Sequence, residues 1–257
     1  REPGIFMVRI FRFAAVRPRP DAAPQVAAVP YDVVTADEAR AVIRDNPMSF
    51  LRVSRPDAEL PGIPPTDPRV YSYARDRFSA LRSSGVFACD ADPGMYVYRV
   101  ITQAGTFTGL CCCLHVDDYE AGIIRRHEQT RYDKEEDRTR HIDTVNAHTG
   151  PVVLIYRDSA DLSGLISSLA AGQPEAEVCW TDGSVHQVYR ILDAGILSRL
   201  DRQFSTVKRL YIADGHHRAK SAANVAKQRR AAGREIGEAD RFMGVLFADS
   251  GVRIHGY

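Results

Sequence analysis

The sequence predicts an α+β fold of mixed α/β character. Three patterns carry that expectation. Residues 95–102 and 106–116 alternate as a hairpin around a glycine-containing turn. From residue 133 onward, helical runs alternate with compact apolar strands. A strand–turn–helix unit is centred on Asp214-Gly215. With 257 residues, 44% of them hydrophobic, the chain can bury a substantial core.

Taken in order, residues 5–16 read as a strand, with Phe6, Val8 and Ile10 alternating against Arg9 and Arg12. Pro18, Pro20 and Pro24 mark a loop running to Val34. Thr35 is placed to cap a helix ending near Arg44, and Glu38 completes a capping box. Asn46-Pro47 stops that helix, and residues 49–53 read as a strand. Four prolines make residues 55–67 a loop. Pro68 opens a helix to about Ser84, with Gly85 as its C-terminal cap. Beyond the hairpin, helices are expected at 133–148, 160–171 and 194–202. Strands are expected at 151–156, 178–180 and 185–191, the last two joined around Asp182-Gly183. Apolar residues at 207–212 lead into a helical run at 219–232, and 242–247 forms another strand. Residues 251–257 read as a strand entering further protein.

A net charge of +1 argues against a broad nucleic-acid footprint, and no helix-turn-helix pattern is evident. No apolar run approaches the ~18 residues of a spanning helix. Residues 1–12 lack a signal-peptide layout. Cys111, Cys112 and Cys113 are consecutive, so on a strand they point to alternate faces and do not make a zinc site. They read as small buried apolar residues in a reducing cytoplasm.

The segment Ala213-Asp214-Gly215-His216-His217-Arg218 carries the strongest chemical signal. A glycine between strand and helix permits a sharp turn and close approach to a ligand. The new helix offers free N–H groups and a positive dipole end, which suit a phosphate. His216, His217 and Arg218 add donors. The alternative is plain: Asp-Gly is a common turn, and histidines at helix starts are often surface decoration. Neither a Walker loop nor a G-x-G-x-x-G motif is present.

A second cluster spans Arg125-Arg126-His127-Glu128-Gln129-Thr130-Arg131. Glu128 among cations is a candidate acceptor, metal ligand or general base, and the arginines are candidate phosphate grips. On the next helix Asp133, Asp137 and His141 share a face, and Glu136 pairs with Arg140 at i,i+4. That face reads more simply as a solvated, salt-bridged surface. Tyr31-Asp32 lies in a proline-bounded loop, and Asn46-Pro47-Met48-Ser49-Phe50 ends a helix. Both read as punctuation or as loops that position functional groups.

Six motifs occur together: Val29-Pro30-Tyr31-Asp32-Val33-Val34, Asn46 to Leu51, Arg126-His127-Glu128-Gln129-Thr130, Asp137-Arg138-Thr139-Arg140-His141, Thr149-Gly150-Pro151-Val152 and Ala213 to Arg218. In this order they resemble the family known as domain of unknown function 1015, over nearly the whole chain. That family resembles the ParB/sulfiredoxin superfamily and, within it, the SerK-type free serine kinases. Those kinases make O-phosphoserine from free L-serine, with ADP or ATP as donor. The resemblance implies a ParB/sulfiredoxin-like nucleotide-binding region at 118–257, after an N-terminal α/β region at 1–117. It implies that the sequence continues past Tyr257.

Carried over by motif, Glu128 becomes the catalytic base with His127 beside it. Asp214, Gly215, His216, His217 and Arg218 become the phosphate cradle. Arg126, Thr130, Arg131, Tyr31, Asp32 and Ser49 become candidate substrate or phosphate contacts. The implied partners are a nucleotide and a small hydroxy amino acid, with Mg²⁺ held by nucleotide phosphates and no metal cluster of protein ligands. Two departures stand out. Arg126 occupies the place of a proline in those kinases, and residues 157–206 look like an insertion expected to alter the substrate pocket. A nucleotide-hydrolysing switch is the main rival reading. Sulfiredoxin-like redox repair wants a cysteine where this turn has His216 or His217.

Overall fold

The protein is described here over residues 7–253 of a computed structural model. Its N-terminal third holds β1 (Ile10–Phe11), β2 (Val16–Pro18), α1 (Ala23–Val26), α2 (Ala36–Asp45), α3 (Leu51–Ser54), α4 (Pro68–Ser83) and β3 (Phe87–Cys89). The middle holds β4 (Met95–Thr102), β5 (Gly105–His115), α5 (Val116–Glu120), β6 (Ile124–Arg125), α6 (Tyr132–Val145) and β7 (Val152–Tyr156). The remainder holds α7 (Ala160–Ser168), β8 (Ala176–Cys179), β9 (Val185–Ile191), α8 (Ala194–Phe204), β10 (Leu210–Asp214), α9 (His216–Ala231) and β11 (Arg241–Ala248).

The fold is mixed α/β, built on one nine-stranded mixed sheet. Its order is β6-β10-β7-β11-β5-β4-β9-β8, and β1 pairs with β5 beyond the end of β4. Strands from both sides of residue 117 therefore share one sheet. β6 runs parallel to β10, and β7 runs antiparallel to it. One face of the sheet is the core, where Leu110, Cys112, Leu114, Leu154 and Leu246 are fully buried. Apolar positions of α7, α8 and α9 pack onto the same core. α9 is sandwiched, because its other side meets α6 through Ser221, whose hydroxyl donates to the Glu135 carbonyl at 3.0 Å. No helix among the described residues is long and apolar enough to cross a membrane.

Most expected elements form. The capping box at Thr35 and Glu38 is complete, which stabilises the start of α2 by about 1 kcal/mol. Pro68 sits in the first turn of α4, and Gly85 follows that helix at φ +75°. Cys112 is fully buried while Cys111 and Cys113 face the other side of β5. Burial pushes the Cys111 thiol up to about 12 and the other two higher still, so all three stay protonated.

Four expectations differ. Residues 49–53 do not form a strand; they wind into α3. The Asn46 side chain accepts from Met48 N–H, and Ser49 Oγ accepts from Leu51 N–H, which curls the backbone. The helical turn then sends Leu51 and Val53 into different apolar clusters. The proline-rich loop contains α1, with Pro24 in its first turn. The strand expected at 5–16 is only β1 plus a bridge from Phe13 to Gly94, and residues 5 and 6 lie outside the described range. The strand expected at 251–257 does not start within that range: Asp249–Gly251 is a 3-10 turn and Val252 and Arg253 are irregular, while residues 254–257 lie outside it.

Residues 157–206 supply β8 and β9 at one edge of the sheet, and Leu162, Ile166, Leu197 and Phe204 of α7 and α8 to the core. This segment is built into the fold.

Candidate functional site

Strand direction assembles the site. β6 and β10 are parallel neighbours, so their C-terminal ends leave the sheet on the same side. β7 is antiparallel to β10, so its first residues lie at that side too. Three loops therefore converge: Arg126 to Arg131 after β6, Thr149 to Pro151 before β7, and the Asp214-Gly215 turn after β10. Ala213 is an extra residue in the β10–β7 ladder, because Ile212 faces Leu154 and Asp214 faces Val153. A bulge at this point re-aims the end of the strand.

Gly215 adopts φ +90° and opens α9. A Cβ there would lie 3.2 Å from the Arg218 guanidinium and 3.3 Å from Val152 Cα. The position requires glycine on both counts. Gly215→Ala should lower stability by at least about 1–2 kcal/mol and abolish any stabilisation by added nucleotide, both read by thermal melting. A variant that melts and responds like the native chain would show that the turn has no special role.

The first bond inside α9 runs from Ala219 N–H to the Gly215 carbonyl. The N–H groups of His216, His217 and Arg218 thus precede the helical ladder, as an anion site needs. Glu128 Oε2 stands 3.6 Å from His216 Nδ1, and Glu128 Oε1 stands 3.8 Å from His127 Nε2. The two imidazole rings meet edge to face, 4.5 Å between centroids. Burial, reinforced by His127, holds the His216 pKa below the ordinary histidine value, so this ring is neutral near pH 7. His217 Nε2 accepts from Arg131 N–H at 3.2 Å, which joins the start of α6 to the start of α9. His127, Glu128 and His216 also form a group that could hold a metal ion, with donor atoms within 4.8 Å of one another. Sequence reasoning expected no such protein cluster.

Arg218 is a brace. It donates to Asp214 at 2.6 Å and to the Pro151 carbonyl, and lies 3.9 Å from Asp32. It ties the turn, the loop before β7 and the Tyr31-Asp32 loop together. Tyr31 lies beneath the Arg138 guanidinium, 4.3 Å from ring centroid to Cζ, and burial raises its hydroxyl pKa. Arg126 turns toward Tyr119, donating to its hydroxyl at 3.3 Å. The Thr130 hydroxyl donates to Glu135, and the Arg131 side chain pairs with Asp133 at 2.8 Å. Ser49 is buried in the turn before α3, where its hydroxyl serves Leu51, and makes no contact with this cluster.

The α6 face carrying Asp137 and His141 is not a solvated surface. His141 is fully buried, and its Nε2–H donates to the Val53 carbonyl at 2.7 Å. Asp137 accepts from Arg138 and from the Tyr71 hydroxyl. Asp133 and the Glu136–Arg140 pair on that helix match the exposed reading. Sequence reasoning also missed Arg138, whose guanidinium donates to the Ser54 carbonyl and pins the N-terminal helices to α6. The strands of residues 157–206 form the edge of the sheet opposite the site.

A family profile described as Protein of unknown function (DUF1015) matches residues 10–257. The chain belongs to this family. No curated protein and no solved structure matches the chain. The DUF1015 match runs unbroken through all three converging loops and the N-terminal helices that hold them.

Proposed function

We propose that this DUF1015 protein is a nucleotide-dependent phosphotransferase that phosphorylates the hydroxyl of a small amino acid, free L-serine first, on a ParB/sulfiredoxin-like core. The observation that carries the reading is the carboxylate of Glu128 beside the imidazole that opens α9, 3.6 Å away. A base and an anion-binding helix start share one site although they are far apart in sequence.

In this mechanism the phosphates of ADP or ATP dock on the N–H groups at the start of α9. Mg²⁺ bound to the phosphates offsets their charge. Glu128 accepts the proton of the acceptor hydroxyl, and His216 and His217 donate to the transferred group. Arg218 fixes the turn that presents them. The motif resemblance to SerK-type kinases supports serine as acceptor.

The test is incubation with ADP or ATP, Mg²⁺ and a panel of free hydroxy amino acids. Phosphoserine is the expected product. Phosphate release with no phosphorylated acceptor overturns the kinase reading in favour of a hydrolytic switch. One observation favours that second reading: the Glu128 side chain is 62% exposed, so water reaches it freely.

A further inference from the structure

We propose that His127, Glu128 and His216 bind a first-row transition-metal dication of the Zn²⁺, Co²⁺ or Mn²⁺ type, with coordination positions left for water or a phosphate oxygen. The proposal does not depend on the phosphotransferase reading, where Mg²⁺ travels with the nucleotide; it gives Glu128 and His216 ligand roles in place of the base and donor roles assigned to them there.

Geometry comes first. Ligands about 2.1 Å from a tetrahedral zinc ion lie roughly 3.4 Å from one another. Glu128 already stands 3.6 and 3.8 Å from the two imidazoles, and all three donor atoms fall within 4.8 Å. Rotamer adjustment of two exposed side chains, His127 and Glu128, closes the set around an ion. His216 needs no movement because the start of α9 fixes it.

The second observation is the state of His216. It is only 5% exposed, yet neither ring nitrogen makes a hydrogen bond within the described residues. Nε2 is buried without a partner, and the 3.6 Å from Nδ1 to Glu128 is too long for one. An ion at Nδ1, the nitrogen that faces Glu128, supplies the partner that atom lacks, while Nε2 lies on the far side of the ring and stays outside the cluster.

Chemistry selects the ion. Two imidazoles with one carboxylate suit zinc, cobalt, manganese or iron, while Mg²⁺ and Ca²⁺ prefer oxygen ligands only. The positive end of α9 opposes a cation weakly, and the charge of Glu128 with two nitrogen donors outweighs it.

The experiment uses the full chain, stripped with a chelator and titrated with Co²⁺ and Zn²⁺ without nucleotide. Cobalt absorption and competition against a chromophoric chelator report binding. One ion per chain is expected. Affinity should fall at least about tenfold in His127→Ala and in Glu128→Gln. Mg²⁺ at about hundredfold excess should not displace cobalt. Circular dichroism confirms folding, which neither exposed side chain should affect. Equal affinity in native and variant chains, displacement by Mg²⁺, or no cobalt spectrum overturns the proposal. A chain that binds cobalt here but phosphorylates no acceptor keeps this inference and ends the kinase reading. A chain that makes phosphoserine with Mg²⁺ alone and shows no cobalt spectrum does the reverse.

Discussion

Glu128→Gln should lower turnover by about 10²–10⁴-fold while leaving nucleotide affinity within about threefold of native. Glutamine keeps the shape of the side chain and removes its ability to take a proton. In the proposed mechanism the nucleotide docks elsewhere, on the N–H groups of His216 to Arg218, so binding should persist. The Glu128 side chain is 62% exposed and is not needed for folding. A loss of activity that persists in excess Mg²⁺ with the metal affinity of the site measured alongside is then a loss of the base. Two measurements check it: single-turnover phosphate transfer with saturating donor, and nucleotide affinity by calorimetry in excess Mg²⁺. Native turnover in Glu128→Gln would remove Glu128 as the base. Equal losses of binding and turnover would make it a binding group instead.

How much of this site was legible beforehand follows from the range of each interaction. The Asp214 to Arg218 turn was legible because a glycine, a strand pattern and a helix pattern meet within a few residues, and each signal is local. The pairing of Glu128 with His216 was reachable only through motif resemblance. No periodicity links positions 128 and 216; the parallel register of β6 and β10, Ile124 against Leu210, brings them together. The grouping of His127, Glu128 and His216 is hidden in sequence for the same reason, since it draws on two loops. Sequence shows the charge of Arg218, which made it part of the phosphate cradle, and not the partners it has inside the fold. Asp214, Asp32 and the Pro151 carbonyl already engage it.

The helix α6 was misread in a more instructive way. Its surface looked solvated because Asp, Glu, Arg and His dominate it. Charge content alone does not say which polar residues are exposed. Tyr31, Tyr71, Ser54 and Val53 come from distant positions and engage Arg138, Asp137 and the Nε2 of His141 one by one. A buried polar network of this kind is visible only when its partners are known. It also anchors the Tyr31-Asp32 loop against the Arg218 brace, so the N-terminal region contributes to the shape of the site.

That network should make the protein acid-sensitive, with His141 as the main contributor. Its Nε2–H is committed to the Val53 carbonyl, while Nδ1 is buried without a partner. Burial, reinforced by the nearby Arg138, pushes its pKa from the ordinary 6.5 down to about 3. Between those values the unfolded chain binds a proton at this position that the folded chain refuses. Stability therefore rises with pH across the window and is lost as pH falls from about 6.5 toward about 3, by up to about 1.4 kcal/mol per pH unit. Half-buried His148 is pushed the same way by burial, to about 4, so the native slope should exceed one proton. His141→Gln can keep a donor toward Val53 and cannot titrate. Urea melts of both proteins between about pH 7 and about pH 4 should show the variant losing about one proton's worth of slope. Identical slopes would mean that His141 is protonated in the folded state or reached by water, and the network would not be the acid-labile joint between α6 and the N-terminal helices. If the slope does fall, any stabilisation by added nucleotide should weaken over the same acid range, because Arg131, which precedes the loosened α6, donates its N–H to His217.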